Sequence, residues 1–355
     1  MELREVMYVD HIDRTFPFFL SADIGGTNSN FGIFSLNPEK AVLVLSLHYK
    51  SKNIEDFTEF MKSIIDYIRD QFAISVKAVC LGAAGIVYPH RVSARPTNLS
   101  IEININLVSK VTGINDIILI NDFEAVALGI DLLDPRSIVN INKDGVHRRH
   151  ANSACIGAGT GLGKSILVWH RDENRYLPIP SEGGHADAVF TTQEEFELRQ
   201  FIHDEYVKCP ISWEMVLSGA GIQRIYRFLG TKNLYAETEV SHEIEKSGFN
   251  PDRISFFAEQ DERCKDTFDL YCTFYARACK NFALESLSLN GIYIAGGIAA
   301  KNIRLFVEPL FLQEFKKCGK QRSYLEKIPV YLIIDYNVSL YGALAAYYLH
   351  RGGDL

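Results

Sequence analysis

At 355 residues the chain is too long for one small core and too short for three ordinary domains, so two domains of ~100–200 residues are expected. With 47% hydrophobic and 23% charged residues it reads as globular rather than disordered. Lys and Arg number 37 against 44 Asp and Glu, a net charge of −7; a dedicated nucleic-acid binder carries a basic excess instead, and the longest basic cluster, His147-Arg148-Arg149-His150, is short.

The first residues, MELREVMYVDHIDRT, place charges where a signal peptide needs an apolar core. FFLSADIGGTNSNFGIFSL over 18–36 is two apolar runs around a glycine pair, a strand–turn–strand pattern. A further β run, Ala41 to Tyr49, follows. Ile54, Phe57, Phe60, Met61, Ile64, Ile65 and Ile68 then recur at helical spacing. Val76–Leu81 and Ile117–Ile120 predict short strands, and Phe123–Leu133 a helix. Three early strands followed by helix–strand alternation predict a mixed α/β sheet.

Residues 141–152 are polar and non-periodic, a loop by composition. The pattern then restarts: strand Ala154–Gly157, a glycine turn over 159–163, and strand Ser165–Trp169. Helices are expected near 192–206, 214–229 and 265–288, strands at Ile292–Ala295 and Val330–Ile334, and a last helix near 338–349. The chain thus opens two units with a glycine-turn hairpin, which suggests two related α/β lobes facing a cleft, a frequent site for small ligands. Nothing apolar approaches the ~20 residues of a membrane span. Cysteines at 80, 155, 209, 264, 272, 279 and 318 form no CxxC, so neither a zinc knuckle nor a redox dithiol is indicated, and a cytoplasmic setting is expected.

Six segments could carry chemistry. Asp23-Ile24-Gly25-Gly26-Thr27-Asn28 is either a tight hairpin with solvated polar residues or a turn whose N–H groups converge on an anion. Gly157-Ala158-Gly159-Thr160-Gly161-Leu162-Gly163-Lys164-Ser165 imitates a P-loop. That loop, however, wants glycine at 158 and a following helix, whereas Ser165-Ile166-Leu167-Val168-Trp169 is β-rich. A second phosphate-cradling hairpin with Lys164 as a strand lysine fits better, and no GxGxxG supports a dinucleotide site. Asn121-Asp122-Phe123-Glu124 ends an apolar strand, which makes Asp122 either a general base or a helix N-cap.

Glu182-Gly183-Gly184-His185, and Glu214 ahead of Leu217-Ser218-Gly219-Ala220-Gly221, offer groups suited to sugar hydroxyls, or else a solvated loop and a helix start. Glu182 and His185 lack a third ligand for a metal. Gly296-Gly297 turns from strand to helix, as a base- or ribose-facing backbone or as a plain turn.

In this order and spacing, over roughly 18–350, the six segments resemble the bacterial-type glucokinase family, a non-ROK branch of the actin-like ATPase superfamily. The resemblance implies a ribonuclease H-like, actin-like ATPase fold. Its two related lobes are each a mixed β-sheet flanked by helices, with a cleft between: 18–121 plus 336–355, and 122–335, after an extension at 1–17. It implies ATP-dependent phosphorylation of the 6-hydroxyl of glucose, with Asp122 as catalytic base. Sugar would be held by Asn121, Asp122, Glu182, His185, Glu214 and, more loosely matched, Asn98 of Thr97-Asn98. ATP would meet Asp23, Gly25, Gly26, Thr27, Asn28, Gly159, Thr160, Gly161, Gly163, Gly296 and Gly297. Mg²⁺ is expected with ATP, reached by Asp23 through water.

The family pattern is not matched everywhere. Ala22 replaces a glycine, Glu124 stands where a small or hydroxylated residue is expected, and 1–17 is longer than usual. The CxCGxxGCxE segment of the zinc-bearing ROK branch is absent, so no structural zinc is expected. A sugar-sensing regulator would need a DNA-binding module, for which 1–17 is too short. A non-sugar ATPase would have no reason to carry Glu182, His185 and Glu214. Neither a nucleic-acid nor a membrane partner is expected, and a homodimer is left open.

Overall fold

The computed structural model describes residues 3–88 and 90–352. The chain divides into two compact units: residues up to 135 with 178–180 and those from 335 onward, and residues 136–177 with 181–334.

The first unit runs β1 (Arg4–Met7), β2 (Phe18–Ile24), β3 (Asn28–Leu36), β4 (Ala41–Lys50), α1 (Phe57–Phe72) and β5 (Val76–Ala83). Three short strands, β6 (Ile86–Val87), β7 (Ser93–Arg95) and β8 (Ile103–Asn104), form a small sheet of their own. Then come α2 (Ile105–Thr112), β9 (Asp116–Asn121) and α3 (Asp122–Gly129). The main sheet has the order β1-β4-β3-β2-β5-β9. Its first four strands are antiparallel, and β2, β5 and β9 run parallel. Alternation along each strand splits the core. Leu20, Phe31, Ile33, Val79 and Leu81 pack with α1, while Phe19, Phe34, Ala78 and Cys80 join Leu340, Ala343 and Leu344 of the C-terminal helix.

Helix α1 starts later than its apolar spacing suggests. Asp56 caps it by accepting from the Thr58 and Glu59 N–H groups, so Ile54 stays extended outside it. The segment before the first core strand, expected as an extension, supplies edge strand β1 on β4. The helix expected over Phe123–Leu133 is α3 followed by a 3-10 turn, Ile130–Leu132.

The second unit contains β10 (Ile138–Asn140), β11 (Ser153–Ala158), β12 (Leu162–His170), β13 (Arg175–Ser181, apart from 178–180), α4 (Gln193–Glu205), α5 (Trp213–Val216) and α6 (Gly219–Gly230). It continues with α7 (Glu239–Lys246), α8 (Pro251–Phe256), α9 (Glu262–Ser286), β14 (Gly291–Ala295), α10 (Gly297–Lys301), α11 (Ile303–Val307), α12 (Pro309–Phe315), α13 (Arg322–Leu325) and β15 (Val330–Ile333). The chain then returns to the first unit as α14 (Val338–Arg351). The second sheet, β10-β15-β14-β11-β12-β13, is again mixed, with β11, β14 and β15 parallel and β11–β12 an antiparallel hairpin.

The single helix expected over 214–229 is broken. Ser218 is extended and its hydroxyl caps α6 at the Gly221 N–H, 3.1 Å away. Buried on α9, Arg277 bonds Glu195 at 2.7 Å and Glu314 at 2.6 Å. This triad gives the α4, α9 and α12 contact a fixed register.

Helices α3 and α14 touch backbone to backbone. A Cβ on Gly342 would stand 1.6 Å from the Ala125 carbonyl, and one on Gly129 2.1 Å from that of Val338. No larger residue fits at either position.

Candidate functional site

In the first unit the sequence-predicted residues gather at the carboxyl ends of β2, β5 and β9, where α/β sheets place their ligands. The register sets Asp23 beside Gly82, and Ile24 beside Ala83, which in turn pairs with Asn121. The β2–β3 turn closes through the Gly25 N–H to the Asn28 carbonyl, 3.1 Å. Ser51 braces it from behind. Its hydroxyl donates to the Gly25 carbonyl at 2.6 Å and its N–H to that of Thr27 at 3.0 Å. In a planar trans peptide the N–H points opposite the C=O, so the Gly26 amide faces away from Ser51, as an anion cradle requires. Asn28 Oδ1 is committed to Lys50 Nζ at 2.9 Å.

Asn98 lies against this turn. A Cβ on Gly26 would come 2.8 Å from Asn98 Cβ. Thr97 packs on Gly85, whose carbonyl accepts from Asn121 Nδ2 at 3.0 Å. Gly26, Asn98 and Asn121 thus share one corner of the first unit.

The Asn121-Asp122 pair divides its labour. Asn121 is the cap of α3: its Oδ1 accepts from the N–H groups of Phe123 and Glu124 at 2.9 and 3.2 Å. Asp122 is the first helical residue, partly buried, with Oδ1 accepting from the Phe123 N–H. The capping role open to Asp122 in the sequence belongs to its neighbour. Glu124 completes a capping box on Asn121 and pairs with both terminal guanidinium nitrogens of Arg91 at 3.0 and 3.1 Å. Arg91 and Ser51 carry no sequence signal of these roles, because both act across the fold.

Asp23 accepts from the Ser339 hydroxyl at 2.7 Å. Burial pushes its carboxyl pKa up, against the hydrogen bonds of Ser339 and Asn30. A single carboxylate suits an ion carried by phosphates, since Mg²⁺ keeps several waters and takes one or two carboxylates. Among the described residues no three His, Cys, Asp or Glu side chains gather to hold a metal by themselves.

In the second unit, the turn between β11 and β12 closes through the Gly159 N–H to the Gly161 carbonyl, 2.9 Å, while the Gly159 carbonyl accepts from the Gly219 N–H at 3.0 Å. The Thr160 amide therefore points away from α6 by the same planarity. Gly163 pairs with Gly157 in the ladder. Beyond it the chain stays in strand β12, which excludes a P-loop. Lys164 is buried on that strand with Nζ 4.9 Å from the Phe282 ring centroid. Gly296, at φ +92°, abuts Ala158, whose carbonyl would lie 2.5 Å from a Cβ there, and Gly297 opens α10.

Leu162 is the meeting point of the remaining residues. Its N–H donates to Glu214 Oε2 at 2.9 Å. Its carbonyl would lie 1.9 Å from a Cβ on Gly184, so the Glu182–His185 turn rests directly on the hairpin. A bridge between Asp187 and Ser212, with the Trp213 N–H on the Ala186 carbonyl at 2.9 Å, brings Glu214 alongside. Glu182 and His185 approach each other to 3.7 Å, both half-exposed. Three segments distant in sequence converge here.

A sequence model of the family described as Glucokinase matches residues 20–350. A glucokinase of Nostoc punctiforme is 32% identical over 338 residues, 91% of this chain and 97% of the relative. One of Saccharophagus degradans is also 32% identical, over 92% and 97%. The crystal structure of a glucokinase from an Antarctic psychrotroph superposes with a TM-score of 0.75 at 26% identity, covering 94% of this chain and all of that one. The glucokinase of Balamuthia mandrillaris in complex with glucose gives a TM-score of 0.79 at 23% identity over 95% and 94%, a likeness of fold.

Proposed function

The chain belongs to the glucokinase family, and from that premise we propose that it transfers the γ-phosphoryl group of ATP to the 6-hydroxyl of glucose, giving glucose 6-phosphate and ADP. The observation that carries the residue roles is the division of labour at Asn121-Asp122: Asn121 caps α3, so the helix has no need of Asp122 as its cap. Asp122 takes the proton of the attacking hydroxyl.

Phosphoryl transfer otherwise asks for positioning and charge stabilisation. The Gly26 and Thr160 amides and the Thr27 and Thr160 hydroxyls meet phosphate charge, with Gly25, Asn28, Gly159, Gly161 and Gly163 shaping the two turns and Gly296-Gly297 lying against adenosine. Asp23 would hold, through water, the Mg²⁺ that comes with ATP, and that ion would supply neutralisation of phosphate charge. Asn98, Asn121, Glu182, His185 and Glu214 take the sugar hydroxyls and hold one in line.

These roles rest on the family resemblance together with the local geometry of each unit. No described helix is long and apolar enough to cross a membrane, and all seven cysteines are free, which supports a reducing cytoplasmic setting.

ADP release with a panel of hexoses tests the reading. Turnover that needs glucose supports the kinase. Turnover indifferent to sugar would make the protein an ATPase, and sugar binding without turnover a sensor.

A further inference from the structure

The N-terminal strand, the part of this chain least expected from its family, ends in a hydrogen-bonded chain that runs to Asp23. Tyr8, just beyond β1, has its hydroxyl 3.2 Å from Ser46 Oγ. Ser46 Oγ is 2.9 Å from His48 Nε2, and His48 Nδ1 is 2.8 Å from Asn30 Oδ1. Asn30 stands directly across the ladder from Asp23, and its amide hydrogen-bonds the carboxylate. At the far end Asn337 Nδ2 donates to the Tyr8 hydroxyl at 3.1 Å. Two residues on, Ser339 donates to Asp23 itself. The chain closes into a ring anchored on 337–339.

Chemistry fixes its direction. A carboxylate only accepts, so the Asn30 amide nitrogen faces Asp23 and its oxygen faces His48. His48 Nδ1 must then carry a proton, and in a neutral imidazole Nε2 accepts from Ser46, which accepts from Tyr8. Burial and the Arg4 charge, set opposite His48 by the β1–β4 register, both lower the imidazole pKa and keep it neutral. The Tyr8 hydroxyl is shared between Ser46 and Asn337 Oδ1, 3.4 Å away; from Ser46 onward every donor points toward Asp23, so those bonds polarise one another in the same sense.

We propose that Tyr8, Ser46, His48 and Asn30 are positioning residues that fix the Asp23 carboxylate for nucleotide, and that the N-terminal strand is thereby part of the nucleotide half-site of the first unit. The proposal rests on the reading of Asp23 as a nucleotide residue. Residues that hydrogen-bond a metal-ligating group directly are worth about 10- to 100-fold in metal affinity; Asn30 stands in that place on Asp23, and His48 one bond farther.

The test is calorimetric titration of a non-hydrolysable ATP analogue with Mg²⁺, and of glucose, into the full chain. His48→Leu is expected to weaken the nucleotide by up to about 10-fold, the low end of that range, while glucose affinity holds. His48→Asn, whose amide nitrogen stands where Nδ1 stood, should restore binding, whereas His48→Gln, which mimics Nε2, should not. In an Asp23→Ala background His48→Leu should have no further effect. Equal nucleotide affinity in wild type and His48→Leu, or equal damage from His48→Asn and His48→Leu, overturns the proposal. So does an undiminished effect of His48→Leu without Asp23. If His48→Leu does not fold, Tyr8→Phe, at the exposed end, decides: unchanged nucleotide affinity overturns the chain. Wild type that binds no nucleotide would instead remove the reading of Asp23, a separable outcome.

Discussion

Glu214 Oε2 occupies the space that a Cβ on residue 161 would enter, 2.5 Å away. A glycine of the proposed nucleotide turn and a carboxylate of the proposed sugar set are therefore in contact. Gly161→Val is expected to displace Glu214 and to weaken glucose as well as ATP. A sugar hydroxyl left unpaired by the displaced Glu214 costs ~1–3 kcal/mol, so glucose affinity should fall by about 5- to 100-fold in calorimetry. A variant that lost ATP affinity alone would show the turn to be independent of Glu214.

Asp122→Asn should lower kcat by about 10²–10⁴-fold, the usual worth of a general base. Its thermal midpoint should stay near wild type, because the cap is Asn121. Asn121→Ala should do the reverse in stability, losing ~1 kcal/mol as a removed N-cap does. Measuring kcat and urea midpoints on both variants separates the roles; a near-wild-type kcat for Asp122→Asn would remove the base.

Glu124→Leu is expected to destabilise the first unit by about 1–2 kcal/mol, through loss of the capping box and of the bidentate partner for Arg91. Chemical denaturation checks this. An unchanged midpoint would mean that the pair contributes no net stability.

Acid should weaken the second unit through its buried triad. Burial alone would raise the Glu195 and Glu314 carboxyls, but the hydrogen bonds and charge of Arg277 hold both below the ordinary glutamate range. A depressed carboxylate pKa contributes stability that is full above the unfolded value, ~4.3, and lost as pH falls through the folded values. Urea midpoints should therefore drop below about pH 4, and drop less in Glu195→Gln. Arg277→Met, which leaves two buried carboxylates unpaired, should cost about 3–5 kcal/mol at neutral pH. Identical acid slopes in wild type and Glu195→Gln would exclude Glu195 from the transition.

The strands, the long helices and both glycine turns are legible because each is written in local spacing. The break at Leu217-Ser218 is not, since the apolar period of 214–229 runs straight through it and only the cap at Ser218 interrupts the helix. Asn121 and Asp122 are equally good caps by composition; what separates them is the Gly85 carbonyl, 36 residues away in the chain. Gly161 is recognisable as a turn glycine, but its neighbour Glu214 lies 52 residues beyond Leu162. Periodicity reports which face of an element is buried, not what that face meets, and these residues owe their roles to partners.

The glycine contact between α3 and α14 has a bearing on how the protein is made. The helix that begins at Asp122 is sealed by residues 338–351, which are synthesised after every element of the second unit. During synthesis the second unit can assemble entire while the first still lacks Leu340, Ala343 and Leu344 from its core. The nascent chain therefore exposes Phe19, Phe34 and Ile120 until α14 follows the second unit, and the helix bearing the proposed base gains its cover only then.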